Sequence, residues 1–450
     1  MSDFLWYNPC MKFDKVGSVV KKSLTIGMTK AIQKASKLAG KGGSTTPGVV
    51  ARKLNPAILK QLRNNVGHVV FITGTNGKTT TSNLLATILQ ENGKRVIHNK
   101  EGANLITGIT TAFVAPQNLR GTKKFDYAVI EIDEGSIARV LKEIRPDYFV
   151  FTNLFKDQVD RFGTEHDLAN TLKDVLAPYD LRLVLNSNDP YVSHIVSKQQ
   201  AIYYGFAKDA FNFDAIKNEE HVTCPRCGGE LRYDFQLYAN LGNFYCASCD
   251  YASSTPRYTV TAVRDGAVTI NNTDYHCALE GGYNAYNIAA AIAAARELGF
   301  TEDEVAKGLR AVALENGRME RFTLNDQEIL LNLAKNTAGL DVSLSAIDTL
   351  PGTKNVYIGV NNTPYDGIDS SWVNDANYAL IKRDDVQHIY CGGSCAQDVK
   401  NALLAQGFAE QNLHIVTEAP LSEQLAVGAD SVLVIPNYTM LEPVRKQLVK

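Results

Sequence analysis

"HVVFITGTNGKTTTSNLLATILQENG", residues 68–93, decides the fold. A short apolar run ends in two glycines and a lysine, and apolar residues at helical spacing then continue to Gly93. The pattern predicts a buried strand, a tight loop and a helix. Backbone N–H groups that open a helix have no partner within it and sit at its positive end, so they suit phosphate oxygens. Gly74 and Gly77 would let the backbone approach a phosphate closely. With Thr75, Asn76 and Thr80 they form a candidate nucleotide cradle. Lys78 would reach the outer phosphates, and the Thr79 hydroxyl would ligate Mg²⁺. The loop departs from the common form, because Ile72 stands where its first glycine is expected.

Further strand-like runs follow the loop: YAVIEID (127–133), DYFVFTN (147–153), LRLVLNSND (181–189) and AIYYGF (201–206). Helical stretches separate several of them, so the fold class is α/β with a mostly parallel sheet. The pattern breaks near residue 215. Residues 258–279 then read as antiparallel strands with a turn at Asp265-Gly266, and an Ala-rich helix follows, stopped by Gly299. A second α/β region begins near residue 325, with strands EILLNLA, NVYIGVNN, VQHIYCGG, LHIVTE and SVLVIPNYT. The junction falls near ENGRMERF (315–322).

The chain has 450 residues, 45% hydrophobic and 21% charged, as expected for two or three soluble domains. No apolar run reaches the roughly 18 residues that span a bilayer, and the first residues lack the apolar core of a secretory signal. The expected location is the cytoplasm. A net charge of −2 gives no global pull toward nucleic acid. The charge is uneven, however: residues 1–66 hold twelve Lys or Arg against Asp3 and Asp14. Val16, Val20, Leu24, Met28, Ile32, Ala35 and Leu38 recur there at helical spacing. The simpler reading, preferred here, is a terminal helix packed on its own domain. The other is a peripheral contact with an anionic membrane face.

A magnesium–nucleotide site also needs a carboxylate. Glu131 and Asp133 end a strand at the carboxyl edge, where parallel sheets bind ligands. Cys224-Pro-Arg-Cys227 and Cys246-Ala-Ser-Cys249, with 18 residues between them, have the spacing of a tetrahedral Zn²⁺ site. Four thiolates leave no open position, so such a metal would be structural. Cys391 and Cys395 read as ordinary core cysteines. Gln397 stands where a nucleophile elbow would place glycine.

TGTNGKTT (73–80), EIDEG (131–135), TNLFKDQVDRFG (152–163), NAYN (284–287) and NGRME (316–320) together resemble the Mur ligase superfamily. The four-cysteine insertion, NLAKNTAG (332–339), DGIDSSW (366–372) and IPNYT (435–439) are similar to its MurT family, the ligase subunits of lipid II isoglutaminyl synthases. The likeness covers nearly the whole chain from about residue 20. It implies a basic N-terminal helix and linker over 1–45 and a central ATP-binding domain over 46–322 with a zinc ribbon inserted at 221–254. A Rossmann-like α/β domain would occupy 323–450.

The activity so implied is ATP-dependent amidation of the D-glutamate α-carboxylate of lipid II, through an acyl phosphate. Ammonia would come from a glutaminase partner of the GatD kind, in a heterodimer, and nucleic acid would play no part. Lys78 and Thr79 would hold the phosphates and Mg²⁺, Glu131 would be a metal carboxylate, and Asn287 would contact adenine. Arg318 matches a nucleotide-side arginine. Asp369 would reach the partner's histidine and complete its triad, while the local reading of Asp366 and Asp369 is a turn cap. Asn332 and Lys335 replace the Asp and His of the amino-acid-adding enzymes. Lys173 lies near the position of a carbamylated lysine but out of register, and is not assigned. Replacement of Lys78 by alanine is expected to abolish acyl phosphate formation with the fold intact. The alternatives are a Mur-type ligase that adds an amino acid or glutamate, and a zinc-ribbon ATPase that binds nucleic acid.

Overall fold

The computed structural model describes residues 10–38, 45–100, 102–156, 163–213, 222–264, 266–312, 319–324, 326–363, 366–416, 421–425 and 428–448. Arg318, Asp265 and linker residues 40–44 lie outside the described residues.

Strands β1 (Val66–Thr73), β2 (Val96–His98), β3 (Phe125–Glu131), β4 (Tyr148–Phe151), β5 (Arg182–Asn186) and β6 (Gln200–Phe206) run parallel. A two-stranded hairpin, β7 (Leu231–Gln236) and β8 (Gly242–Cys246), stands apart from them. The chain then rejoins the sheet through β9 (Tyr258–Arg264), β10 (Ala267–Ile270) and β11 (Thr273–His276). The nine strands are ordered β11-β10-β9-β6-β5-β4-β1-β3-β2, with only the β9–β10 and β10–β11 pairs antiparallel.

The apolar runs are continuous because both faces of this sheet are covered. In β1, Val70 and Ile72 join one buried cluster, and Val69 and Phe71 join the other. The alanine side chains of the helix Gly282–Glu297 are fully buried and let it pack on the helix Lys78–Glu91. The chain leaves β1 for β2 and β3 on one side, then crosses back to β4 on the other. Loops diverge at such a switch point and open a crevice at the carboxyl ends of the strands.

A six-stranded sheet follows, built from β12 (Glu320–Leu324), β13 (Gln327–Leu331), β14 (Lys354–Gly359), β15 (Val386–Gly392), β16 (Leu413–Ile415) and β17 (Ser431–Pro436). Its order is β12-β13-β17-β14-β15-β16, antiparallel only at β12–β13. Cys391 and Cys395 are buried in its core, and burial pushes the Cys391 thiol up to about 12.

The N-terminal helix Cys10–Leu38 packs on the first domain, but not through its apolar stripe. Among the side chains described, from Val19 on, Thr25, Ile26 and Thr29 are the buried ones, and the two threonine hydroxyls donate to the carbonyls of Lys21 and Thr25. Val20, Leu24 and Met28 are exposed. Hydroxyls satisfied within their own helix can be buried without an outside partner, so periodicity alone selected the wrong face.

Candidate active site

The loop after β1 is strapped down by the segment that follows β4. Thr75 N–H donates to the Asn153 carbonyl (2.8 Å) and Asn76 N–H to Asn153 Oδ1 (2.8 Å). Thr152 Oγ1 donates back to the Asn76 carbonyl at 2.6 Å. Gly77 closes the loop with φ +83°, and a Cβ there would stand 2.0 Å from Asn287 Oδ1. Only glycine meets both the conformation and the close approach. The helix Lys78–Glu91 starts immediately beyond, with its first N–H groups at the crevice. Thr75 turns inward, its hydroxyl accepting from Phe155 N–H at 3.0 Å.

Lys78 folds back over the loop. Its Nζ donates to the Gly74 carbonyl and, at 3.0 Å, to Glu134 Oε1. Burial alone would lower the Lys78 pKa, but Glu134, Glu131 and Asp133 outweigh it and hold the ammonium charged. Thr79 Oγ1 donates to Glu131 Oε2 at 2.8 Å, and Asn104 Nδ2 donates to Glu131 Oε1 at 3.0 Å. Asn99 clamps the backbone of Glu131 on both sides, at 2.9 Å each. Asp133 lies beyond the strand, where its N–H donates to the Asn104 carbonyl.

A hydroxyl and a carboxylate form a hard oxygen pair, the donor type Mg²⁺ prefers. At Gly102 a Cβ would stand 3.7 Å from Thr79 Oγ1 and 3.8 Å from Glu131 Oε2, so glycine keeps that approach clear. These residues fit a magnesium–phosphate group.

The cleft continues away from the loop between the two sheets. Gly77, Thr80, Asn287 and Tyr283 line it on one side, and Asn332 and Lys335 on the other. Asn287 is buried, packed on the loop glycine and bonded to Asn284. Asn76 and Asn336 exchange amide hydrogen bonds across the cleft, 3.2 Å each way. Asn332 is committed internally: Oδ1 accepts from Met319 N–H, and Nδ2 donates to Ser343 Oγ.

Cys224, Cys227, Cys246 and Cys249 converge, their sulfurs all within 4.8 Å of one another. Cys224 to Cys249 is 3.8 Å and Cys227 to Cys246 is 3.6 Å. A tetrahedral site with Zn–S bonds of about 2.3 Å has edges of about 3.8 Å, so the group fits such an ion. Ser248 N–H points at Cys246 Sγ and, with the neighbouring thiols, brings its pKa down to about 7. The β7–β8 hairpin reaches back to the crevice, with Tyr238 lining the cleft and Asn240 Nδ2 donating to the Leu154 carbonyl at 3.1 Å.

The two aspartates after β14 separate in character. Asp366 accepts from Thr439 N–H (2.9 Å) and Thr439 Oγ1 (2.5 Å), tying its loop to the last helix. Asp369 is exposed; its Oδ1 accepts from Ser371 N–H at 2.8 Å, and that bond, with the Lys156 charge nearby, keeps its carboxyl below the usual range.

The Mur ligase middle domain matches residues 72–295, and the MurT ligase C-terminal domain matches 333–441. The lipid II isoglutaminyl synthase (glutamine-hydrolyzing) subunit MurT of Staphylococcus aureus (strain COL) is 38% identical over 94% of this chain and 97% of its own. The chain belongs to the MurT family. A MurT subunit from Streptococcus pneumoniae is 34% identical over 85% of this chain and 86% of its own. Among solved structures, a pseudomurein peptide ligase type C from Methanothermus fervidus superposes with TM-score 0.63 at 22% identity, over 85% of this chain and 78% of its own. MurF from Thermotoga maritima in complex with ADP gives 0.59 at 18%, over 89% and 83%. At such identities these two establish the fold alone.

Membership in the MurT family implies use of ATP and Mg²⁺. Sequence reasoning passed over Glu134, Asn104, Asn153 and Tyr238, which the fold brings to the same crevice. Glu134 and Asn153 do lie inside the motifs EIDEG and TNLF, and that was the available signal.

Proposed function

We propose that this MurT-family chain is the ATP-consuming subunit of a lipid II amidating enzyme, acting at the cytoplasmic membrane face with a glutaminase as partner. The observation that carries the reading is the gathering of Lys78, Thr79 and Glu131 at one helix N-terminus, opposite Asn332 and Lys335 of the second sheet. The named activity of the Staphylococcus aureus relative supports the substrate and nitrogen source.

A carboxylate resists ammonia because its carbon is electron-rich and its oxygen leaves poorly. Transfer of the γ-phosphoryl group of ATP to it creates a mixed anhydride with phosphate as leaving group. In this chain the helix N-terminus and Lys78 bind the phosphates and balance the charge that builds on the transferring group. Thr79 and Glu131 would hold Mg²⁺, whose charge would add to that neutralisation. Asn287 and Tyr283 form the nucleoside side. The four cysteines would hold Zn²⁺ and so brace the hairpin that reaches the cleft. Asp369, exposed and bonded to its own turn, would meet a partner's imidazole.

Two other functions fit less well. The ribbon arginines are engaged, Arg226 with Asp250 at 2.8 Å and Arg232 near Glu230, which leaves little basic surface for nucleic acid. Asn332 is spent on Met319 and Ser343 where amino-acid-adding enzymes carry Asp.

The test combines this chain, a glutaminase partner, lipid II, ATP and glutamine. The expected product differs from lipid II by replacement of one OH by NH₂, with ATP consumed. A product heavier by a whole amino acid, or amide formed without ATP, overturns the reading. Asp369→Asn should impair turnover on glutamine more than turnover on added ammonia. Equal loss of both would remove Asp369 from the partner's triad.

A further inference from the structure

The helix Cys10–Leu38 turns an apolar stripe outward. Val20, Leu24 and Met28 are 57%, 62% and 43% exposed, and Leu38 is 81% exposed. Ala31 and Ala35 share that face and are exposed as well. The stripe lies opposite Thr25, Ile26 and Thr29, the side that packs on the domain. A neighbouring loop extends it: Leu119, 62% exposed, reaches to within 3.8 Å of where a Cβ on Gly27 would stand.

Basic residues frame this surface. On the helix, Lys21 borders one edge of the stripe and Lys34 the other. Arg120 is exposed on the loop that carries Leu119; Lys123 and Lys124, also exposed, lie over the Phe125 ring and on the Asn64 carbonyl, and residues 115–124 contain no acid. Lys22 pins loop to helix by donating to the Gly121 carbonyl at 3.3 Å. Among the described residues, no helix is long and apolar enough to cross a membrane.

We infer that this face lies flat on an anionic lipid bilayer. Leucine, valine and methionine on one side of a helix, with lysines at its borders, match an interface of acyl chains below and negative headgroups around. The lysine stems can cover apolar surface while their ammonium groups reach the headgroups. A purely protein partner would need apolar complementarity and a ring of acids; a bilayer with acidic lipids offers both without a fixed shape. The helix Ile106–Val114, about 14 Å long, joins the Leu119 loop to Asn104, which bonds Glu131. One short helix therefore links the bilayer-facing loop to the proposed metal carboxylate. The surface stands on its own observations, while its use in holding the enzyme beside a lipid-linked acceptor rests on the ligase reading.

The test is co-sedimentation of the full chain with vesicles of phosphatidylcholine alone and of phosphatidylcholine with phosphatidylglycerol. Binding is expected only to the anionic vesicles, with release at high salt. Each of Lys21→Gln and Lys34→Gln should weaken the partition about fivefold. Leu24→Gln with Met28→Gln should abolish it, with thermal stability and ATP turnover unchanged because all four side chains face solvent. Absence of binding to anionic vesicles at low salt overturns the proposal. So does equal binding to neutral vesicles, or a dimer or a glutaminase complex that Leu24→Gln disrupts. Vesicle binding by a chain that fails to amidate lipid II would defeat the ligase reading alone. Amidation of detergent-dispersed lipid II by a chain that ignores vesicles would defeat this one alone.

Discussion

Thr79 Oγ1 and Glu131 Oε2 meet at 2.8 Å although 52 residues separate them in sequence. One opens the helix after β1 and the other ends β3, so the parallel pairing of those strands sets their distance. Asn104 fixes the second oxygen of Glu131 from outside the pair. Removing such an orienting group typically costs about 10–100-fold in metal affinity or activity. Asn104→Ala should therefore raise the Mg²⁺ concentration needed for half-maximal ATP turnover by that order, with Thr79→Ser near wild type. A Mg²⁺ titration checks this; an unchanged requirement would detach Glu131 from the metal.

Lys78 and Glu134 form a buried ion pair, with side chains 10% and 7% exposed. The expectation that Lys78→Ala leaves the fold intact therefore needs revision. Removing one partner of a buried pair strands the other charge and costs about 3–5 kcal/mol. Lys78→Met should lower the urea midpoint markedly, and Lys78→Met with Glu134→Gln should recover most of it. Both variants should lack phosphoryl transfer. Equal midpoints for single and double variants would mean that Glu134 is solvated once the lysine is gone.

The contrast between these pairs indicates what a sequence can convey. The strand, loop and helix of residues 66–91 were legible because two-sided burial writes an apolar run, and a helix start after glycine writes Gly-Lys. The cysteines were legible because their spacing is itself the geometry. Glu134 was not, since an acid in a loop looks alike whether it caps a turn or meets a lysine 56 residues away. Asn336 was opaque for the same reason, its partner Asn76 being 260 residues distant. The N-terminal helix misled differently: its apolar periodicity is real, but Ile26, flanked by two threonines bonded within the helix, carries the packing.

Asp189 is fully buried, and its two oxygens accept N–H bonds from Leu154 (2.7 Å), Tyr191 (2.9 Å) and Val192 (3.1 Å). Burial pushes its pKa up to about 7 against those three donors. A carboxyl raised on folding binds a proton more tightly in the folded state. Its contribution is complete below the ordinary value of 3.8 and is lost as pH rises to about 7. Asp189→Asn should flatten the fall in melting temperature over that interval. It should also lower stability throughout by about 1–3 kcal/mol, because the amide nitrogen cannot accept from Leu154. Thermal melts across the interval check both; a wild-type curve that rises with pH there would reverse the assignment.

Asn76 and Asn336 bridge the two domains with two amide hydrogen bonds. Each alanine replacement removes the same pair, so the effects should not add. Asn76→Ala and Asn336→Ala should each weaken nucleotide binding, and the double variant should be no worse than the poorer single one. The coupling energy in the cycle should be about 0.5–3 kcal/mol. Additive losses would show that the amides act separately, and that the contact does not hold the cleft together.

The cysteine cluster and the cleft are joined by one hairpin. Cys246 ends β8, and the turn between β7 and β8 places Asn240 on the Leu154 carbonyl and Tyr238 against Phe155, with ring centres 5.9 Å apart. Leu154 belongs to the strap whose Asn153 holds the glycine loop after β1. Loss of a metal held by these four cysteines should thus be felt at the nucleotide. Cys224→Ser, or chelation, should release one Zn²⁺, lower the melting temperature and weaken binding of a fluorescent ATP analogue. Asn240→Ala keeps the four thiols and should weaken the analogue with zinc still bound. If Asn240→Ala binds nucleotide normally while Cys224→Ser does not, the cysteine cluster supports the fold generally and the specific path through Leu154 is wrong.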